Sequence, residues 1–177
     1  MTTACMDSET LAQKLSSVSK LSGEFRLRSG LIADTYFDKY QFESDPELLH
    51  AIAMELLPLI PSDTEILAGL ELGGVPVCTA LSLASGLPAV FVRKKAKEYG
   101  TAKLAEGPAI DGRRLLVVED VVTTGGQVVV STNDLRERGA IVSTALCVID
   151  REQGGGEILA AEKIELRSAF TRSDIEP

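Results

Sequence analysis

Four short apolar runs constrain this chain more than any other feature. They are residues 66–70 (ILAGL), 89–93 (AVFVR), 114–120 (RLLVVED) and 141–150 (IVSTALCVID). Rich in Val, Ile and Leu, they read as strands buried on both faces. Helical patterns at 75–85 and 126–138 alternate with them, and residues 164–170 (IELRSAF) predict a last edge strand. This alternation predicts an α/β fold: a parallel sheet flanked by helices and joined by right-handed crossovers. In such sheets ligands bind beyond the carboxyl ends of the strands. The segments that follow the four runs are ELGGVP, RKKAKEYGTAKLAEG, EDVVTTGGQ and DREQGGG, all rich in glycine or charge. They are expected to share one edge of the sheet. The segment 94–107 is long for an internal connection, which predicts a mobile lid.

The first part of the chain has a different rhythm. Leu11, Leu15 and Val18 share a helical face, with Asp7 or Ser8 as the cap and Gly23 as the stop. Residues 24–42 (EFRLRSGLIADTYFDKYQF) alternate and turn at Ser29-Gly30, which predicts an antiparallel hairpin in a small N-terminal hood subdomain. Ser44-Asp45-Pro46-Glu47 is a helix start, Leu48, Leu49, Ile52 and Leu56 its apolar face, and Pro58 and Pro61 its end. The 177 residues are expected to form a single domain, about 1–45 as helix and hood and about 46–177 as α/β core.

Bulk properties exclude several classes. A net charge of −8 argues against nucleic acid or an acidic membrane surface as partner. Cys5, Cys78 and Cys147 form no C-x-x-C pair, so neither zinc nor a redox motif is expected. The N-terminus lacks the basic and apolar regions of a signal peptide, and no apolar run is long enough to span a bilayer. A soluble cytoplasmic protein is expected. His50, the single histidine, lies in a helical pattern and reads as a surface or packing residue rather than a catalytic base.

The chemistry concentrates in the loops. Glu119 and Asp120 close a strand, and two neighbouring carboxylates can accept hydrogen bonds from a vicinal diol. Thr123-Thr124-Gly125-Gly126-Gln127 then opens a helix whose free N–H groups favour an anion. A diol reader beside a phosphate cradle describes a ribose 5-phosphate site. Neither G-x-x-x-x-G-K-[ST] nor G-x-G-x-x-G is present. Arg93, Lys94, Lys95 and Lys97, with Lys103 beyond, form a local cationic field suited to a leaving polyphosphate. Gly73-Gly74 before a helix exposes backbone N–H groups for another phosphate, although a plain turn would use the same glycines. Arg151 just past a strand end presents a planar fork to a carboxylate, with pairing to Asp150 as the alternative.

EDVVTTGGQ resembles the phosphoribosyl pyrophosphate (PRPP) signature of type I phosphoribosyltransferases, and RKKAKEYGTAKLAEG resembles the catalytic loop of the orotate phosphoribosyltransferases. With DREQGG and the weaker Leu27-Arg28-Ser29-Gly30, the resemblance runs from about residue 11 to the end. It implies a type I phosphoribosyltransferase-like fold and Mg²⁺-dependent transfer of phosphoribosyl from PRPP to orotate, giving orotidine 5′-monophosphate in pyrimidine synthesis. It assigns catalysis to Lys97, Glu119 and Asp120. PRPP would be bound by Arg93, Lys94, Lys97, Tyr99, Glu119, Asp120, Val121, Val122, Thr123, Thr124, Gly125, Gly126 and Gln127, and orotate by Arg28, Thr123 and Arg151. Mg²⁺ would be held mainly by PRPP and water, without a protein metal site. A homodimer with the lid shared across the interface is implied. Tyr99 stands where many members have histidine, and Gly73 where many have lysine, which leaves pyrophosphate to the backbone. A transferase for another base, or a non-catalytic PRPP-binding regulator, would share the signature without the full set.

Overall fold

The computed structural model describes residues 6–26, 30–95 and 104–176. The chain opens with α1 (Ser8–Ser19), capped by Asp7, whose carboxylate accepts from the Thr10 N–H at 2.8 Å. Leu11 and Leu15 are buried and Val18 half-buried. Gly23 does not stop this helix. The chain leaves α1 directly into β1 (Lys20–Arg26), which pairs antiparallel with β2 (Ile32–Phe37) from Lys20↔Phe37 onward. Strand pairing overrides the glycine signal, and Gly23 falls in the irregularity between Ser22 and Phe25. A four-residue helix α2 (Tyr40–Glu43) follows, which the sequence pattern does not announce.

The helix α3 (Pro46–Leu56) starts as expected, with Asp45 accepting from the N–H groups of Glu47 and Leu48. Its buried face is Leu48, Ile52, Ala53 and Leu56, with Leu49 at the margin. Burying each of the larger side chains is worth roughly 2 kcal/mol. The core then runs β3 (Ile66–Leu70), α4 (Gly74–Ser85), β4 (Ala89–Val92), β5 (Ala105–Glu106), β6 (Arg114–Val122), α5 (Gly126–Arg136), β7 (Ile141–Asp150), α6 (Gly155–Ala161), β8 (Glu165–Thr171) and α7 (Arg172–Ile175). The sheet order is β5-β4-β3-β6-β7-β8. Five strands are parallel, and β5 is antiparallel on β4, so the end of the segment read wholly as a lid closes the sheet edge instead.

Two apolar layers sandwich the sheet. Residues of α1, α3 and α4 pack with Leu116, Val118, Leu146 and Val148 on one face. Val128 and Leu135 of α5 and Leu159 of α6 pack with Leu115, Val117 and Ala145 on the other. From β3 the chain winds outward to β4, and from β6 it winds the opposite way to β7. The β3–β6 seam is therefore the topological switch point, where the connecting loops diverge and leave a crevice.

Candidate active site

The loops after β3 and β6 meet at that crevice at close range. Gly74 begins α4 directly against β6, where a Cβ would stand 2.3 Å from the Val118 carbonyl oxygen. The Glu71–Leu72 peptide before it is cis. Glu71 also reaches sideways, its Oε2 accepting from the Lys94 N–H at 3.0 Å, which ties this loop to the segment after β4.

Strand β6 runs two residues further than the sequence suggests, through Val122, so Glu119 and Asp120 lie inside it rather than at a solvent edge. They are 9% and 0% exposed. The alternation of faces breaks at this pair: Val118 and Val121 pack in one layer, Val117 and Val122 in the other. Each acid bends onto the backbone, Glu119 Oε1 accepting from the Asp120 N–H at 3.0 Å and Asp120 Oδ1 from the Val121 N–H at 2.6 Å.

Two residues that sequence reasoning missed complete this cluster. Lys39, at the entry to α2, forms an ion pair with Asp120 Oδ2. Glu43, at the end of α2, buries its carboxylate against the same Asp120. Burial would lower the Lys39 ammonium, but Asp120 and Glu119 outweigh it and hold it above its ordinary value. Burial first, then contact with Asp120, pushes both Glu43 and Glu119 up to about 9. Burial also works against the charge on Asp120, but hydrogen bonds with Glu119 and Glu43 and the Lys39 ammonium prevail and hold it below the usual carboxylate value. Asp120 and Lys39 thus carry the favoured charges of the cluster, and burial favours a proton on Glu43 and Glu119. The cluster's sequence signal was weak: Lys39 and Glu43 flank Phe42 at helical spacing, in a stretch that reads as hood.

After β6, Thr123 and Thr124 are exposed and Gly125 takes the left-handed conformation at φ 73° that starts α5. This helix starts beyond the carboxyl end of β6. Gly155 presses on the same turn, a Cβ there falling 2.7 Å from the Thr123 carbonyl oxygen. Val121, Val122 and Gly126-Gln127 lie on either side of the turn, so the expected phosphate loop is contiguous in space.

A cavity of about 510 Å³ opens between the hairpin and the strand ends, lined among others by Lys39, Val121, Thr123, Arg151 and Phe37. The Arg151 guanidinium lies over the Phe37 ring, 5.2 Å from its centroid, and Nη1 donates to Glu176 at 2.9 Å. Its ion pair is with Glu176, not Asp150, which instead accepts from the Glu152 N–H. Tyr36 lines the cavity and packs on Phe25 with ring centroids 5.5 Å apart. Arg93 pairs with Glu106 at 3.3 Å, and Lys94 and Lys95 are exposed. Arg28, Lys97, Tyr99 and Lys103 lie outside the described residues. His50 is exposed on α3, away from this cluster.

Comparison with known proteins gives this arrangement a lineage. The phosphoribosyl transferase domain family matches residues 47–168. Among curated relatives, the orotate phosphoribosyltransferase of Nocardioides sp. is 51% identical over 94% of this chain and 93% of its own length. The chain belongs to the orotate phosphoribosyltransferase family. Another member, from Halobacterium salinarum, is 48% identical over 86% of the chain and 87% of its own length. Among solved structures, the Mycobacterium tuberculosis H37Rv orotate phosphoribosyltransferase in complex with PRPP superposes with a TM-score of 0.83. It is 30% identical, with 97% of this chain and 100% of that one covered. The adenine phosphoribosyltransferase of Leishmania donovani, 20% identical with a TM-score of 0.70, shares the fold alone. The α/β core and hairpin described here are thus the orotate phosphoribosyltransferase fold. Among the described residues no helix is long and apolar enough to cross a membrane.

Proposed function

We propose that this protein transfers the 5-phosphoribosyl group of PRPP to N1 of orotate, releasing pyrophosphate and giving orotidine 5′-monophosphate for pyrimidine synthesis. One observation carries the reading: Thr123 and the Arg151 fork line one cavity at the carboxyl edge of the sheet, next to the Glu119-Asp120 pair that β6 buries just before its end. In this reading the Thr123–Gly126 turn serves as phosphate cradle, the acid pair as diol reader and Arg151 as carboxylate reader.

In this reading the N–H groups of residues 124–127 hold the 5-phosphate. Glu119 and Asp120 hold the ribose hydroxyls, and Asp120, ionised, stabilises positive charge that grows on the ring as the C1–oxygen bond to pyrophosphate breaks. The backbone of Gly73-Gly74, with Arg93, Lys94, Lys97 and Tyr99 from the lid, receives the diphosphate. Orotate lies in the cavity with its carboxylate on Arg151 and its ring edge near Thr123 and Arg28, so that N1 faces C1. Orientation suffices, because the acceptor is already anionic.

Mg²⁺ would be carried mainly by PRPP and water in this reading. Among the described residues no group of three or more His, Cys, Asp or Glu side chains is arranged to hold a metal ion. Asp120 is the carboxylate that would accept from its coordinated waters. Once bound it would neutralise charge on the diphosphate. The reading carries with it a cytoplasmic homodimer with a shared lid.

The test follows orotate by ultraviolet absorbance with PRPP and Mg²⁺, beside parallel reactions with uracil and adenine. Orotate alone should be consumed, dependent on PRPP and metal. Consumption of adenine or uracil instead would transfer the chain to a sister activity. No turnover of any base, with PRPP still bound in calorimetry, would favour a regulator.

A further inference from the structure

Glu43 is a buried acid that the proposed reaction leaves without a role. It is 6% exposed, and neither of its carboxylate oxygens receives an N–H or O–H from a described residue in its ionised form. An ionised carboxylate in that position has a large desolvation cost. The geometry offers one remedy. Oε1 of Glu43 and Oδ2 of Asp120 converge on the volume beside Gly73, where a Cβ would stand 2.8 Å from the first and 1.6 Å from the second. Measured from one point, those 2.8 Å and 1.6 Å distances put the oxygens at most 4.4 Å apart, and two bare carboxylates that close repel. One proton on Glu43 converts the contact into a hydrogen bond donated to Asp120.

The remaining partners of Asp120 fit this assignment. The Val121 N–H donates to Oδ1, and the Lys39 ammonium sits on Oδ2 from the cavity side. Lys39 is one-third exposed, whereas Glu43 approaches from within the core, beside the buried Phe42. A diol entering the crevice can displace the ammonium but not the buried acid.

We propose that Glu43 is a positioning residue, a protonated acid that donates to Asp120 and holds it oriented toward the β3–β6 crevice. This rests on the reading of Asp120 as a ribose-diol reader. The charged groups facing Glu43 are Asp120 and Glu119 from β6 and Lys39 ahead of α2. The two acids favour its proton and the ammonium opposes it, so burial and the acids prevail.

The test uses the full chain with Glu43→Gln, Glu43→Leu and Asp120→Asn, reading kcat and KM for PRPP across pH. Glutamine keeps a donor, so Glu43→Gln should hold the PRPP KM within about twofold of the parent. Glu43→Leu keeps the bulk without the donor and should raise it about tenfold or more, the size of a lost hydrogen bond to a charged group. The parent should lose kcat/KM for PRPP on the alkaline side as Glu43 and Glu119 ionise; in a Glu119→Gln background, Glu43→Gln should move that limb to higher pH. This pH readout stands even where Glu43→Leu does not fold. A parent-like Glu43→Leu, equal impairment of both variants, or an unmoved alkaline limb would overturn the proposal. The Asp120→Asn arm separates the two claims. If it raises the PRPP KM while the Glu43 variants do not, the positioning role alone falls. If it leaves PRPP binding intact, the diol reading falls as well.

Discussion

Gly73 and Asp120 sit so close across the β3–β6 seam that a Cβ on Gly73 would fall 1.6 Å from Asp120 Oδ2. The contact accounts for the glycine. A side chain at position 73, including the lysine implied for many family members, needs volume that Asp120 fills. The ammonium beside that carboxylate is that of Lys39, ahead of α2. Gly73→Ala must displace Asp120 or the loop. It should lower the thermal midpoint and raise the PRPP KM by about tenfold or more, equivalent to ~1.4 kcal/mol or above. Calorimetric PRPP titration of a variant that still folds would show this directly. Unchanged affinity would mean that Asp120 moves without consequence for PRPP.

Lys39→Met should destabilise the protein. It leaves the Asp120 charge buried beside Glu43 and Glu119 without its counter-ion. Breaking a fully buried pair from one side costs about 3–5 kcal/mol. Lys39 is one-third exposed, so about 2 kcal/mol is expected. Urea unfolding would measure it, and adding Asp120→Asn to Lys39→Met should recover part of the loss by removing the orphaned charge. Two additive losses would show that the pair is not coupled.

The same cluster sets a pH dependence of stability. Glu43 and Glu119 have folded-state values raised from 4.5 to about 9. Between those limits the folded state binds more protons than the unfolded chain, so stability falls as pH rises. Their contribution is fully present below about pH 4.5 and lost as pH passes through about 9. Asp120 contributes with the opposite sign, but only in the acid range below its ordinary value of 3.8. Thermal midpoints measured from pH 5 to 9 should decline, and Glu43→Gln should flatten the slope. An equal slope in both proteins would remove Glu43 from the linkage.

How far the sequence carried this site depends on the range of the forces involved. The four strands and the turns after β3 and β6 were legible because a buried strand must be apolar along its length and a tight strand-to-helix turn needs glycine, both local demands. ILAGL became a fully buried β3, and TTGGQ became the left-handed entry to α5. The role of α2 was not legible. Lys39 and Glu43 acquire their meaning from Asp120, about eighty residues away in sequence, and the short Lys-Tyr-Gln-Phe-Glu stretch reads as part of the hood until the seam packs against it. Strand β5 escaped for a similar reason, since two residues carry no periodicity of their own. Gly23 misled because pairing of β1 with β2 decides where α1 ends.

Lys97→Ala should lower kcat far more than it weakens PRPP binding, because a lid cation acts on charge that develops as pyrophosphate departs. Steady-state rates set beside calorimetric PRPP affinity would separate the two. An unchanged kcat would take the lid out of the chemistry.

Arg151 offers the sharpest test of the acceptor. Its guanidinium is held over Phe37 and bonded through Nη1 to Glu176, a carboxylate from the C-terminal end of the chain. Arginine has five N–H donors, so this bond leaves capacity for a second carboxylate on the cavity side. Arg151→Ala should raise the KM for orotate by about tenfold to a hundredfold, the size of a charge-assisted hydrogen bond, and leave the KM for PRPP within about twofold. Arg151→Lys keeps the charge without the planar fork and should recover only part of the loss. Initial rates with each substrate varied in turn would resolve these effects. An effect on PRPP alone would place Arg151 with the phosphates, and the carboxylate of the acceptor would then have to be read by another residue of the same cavity.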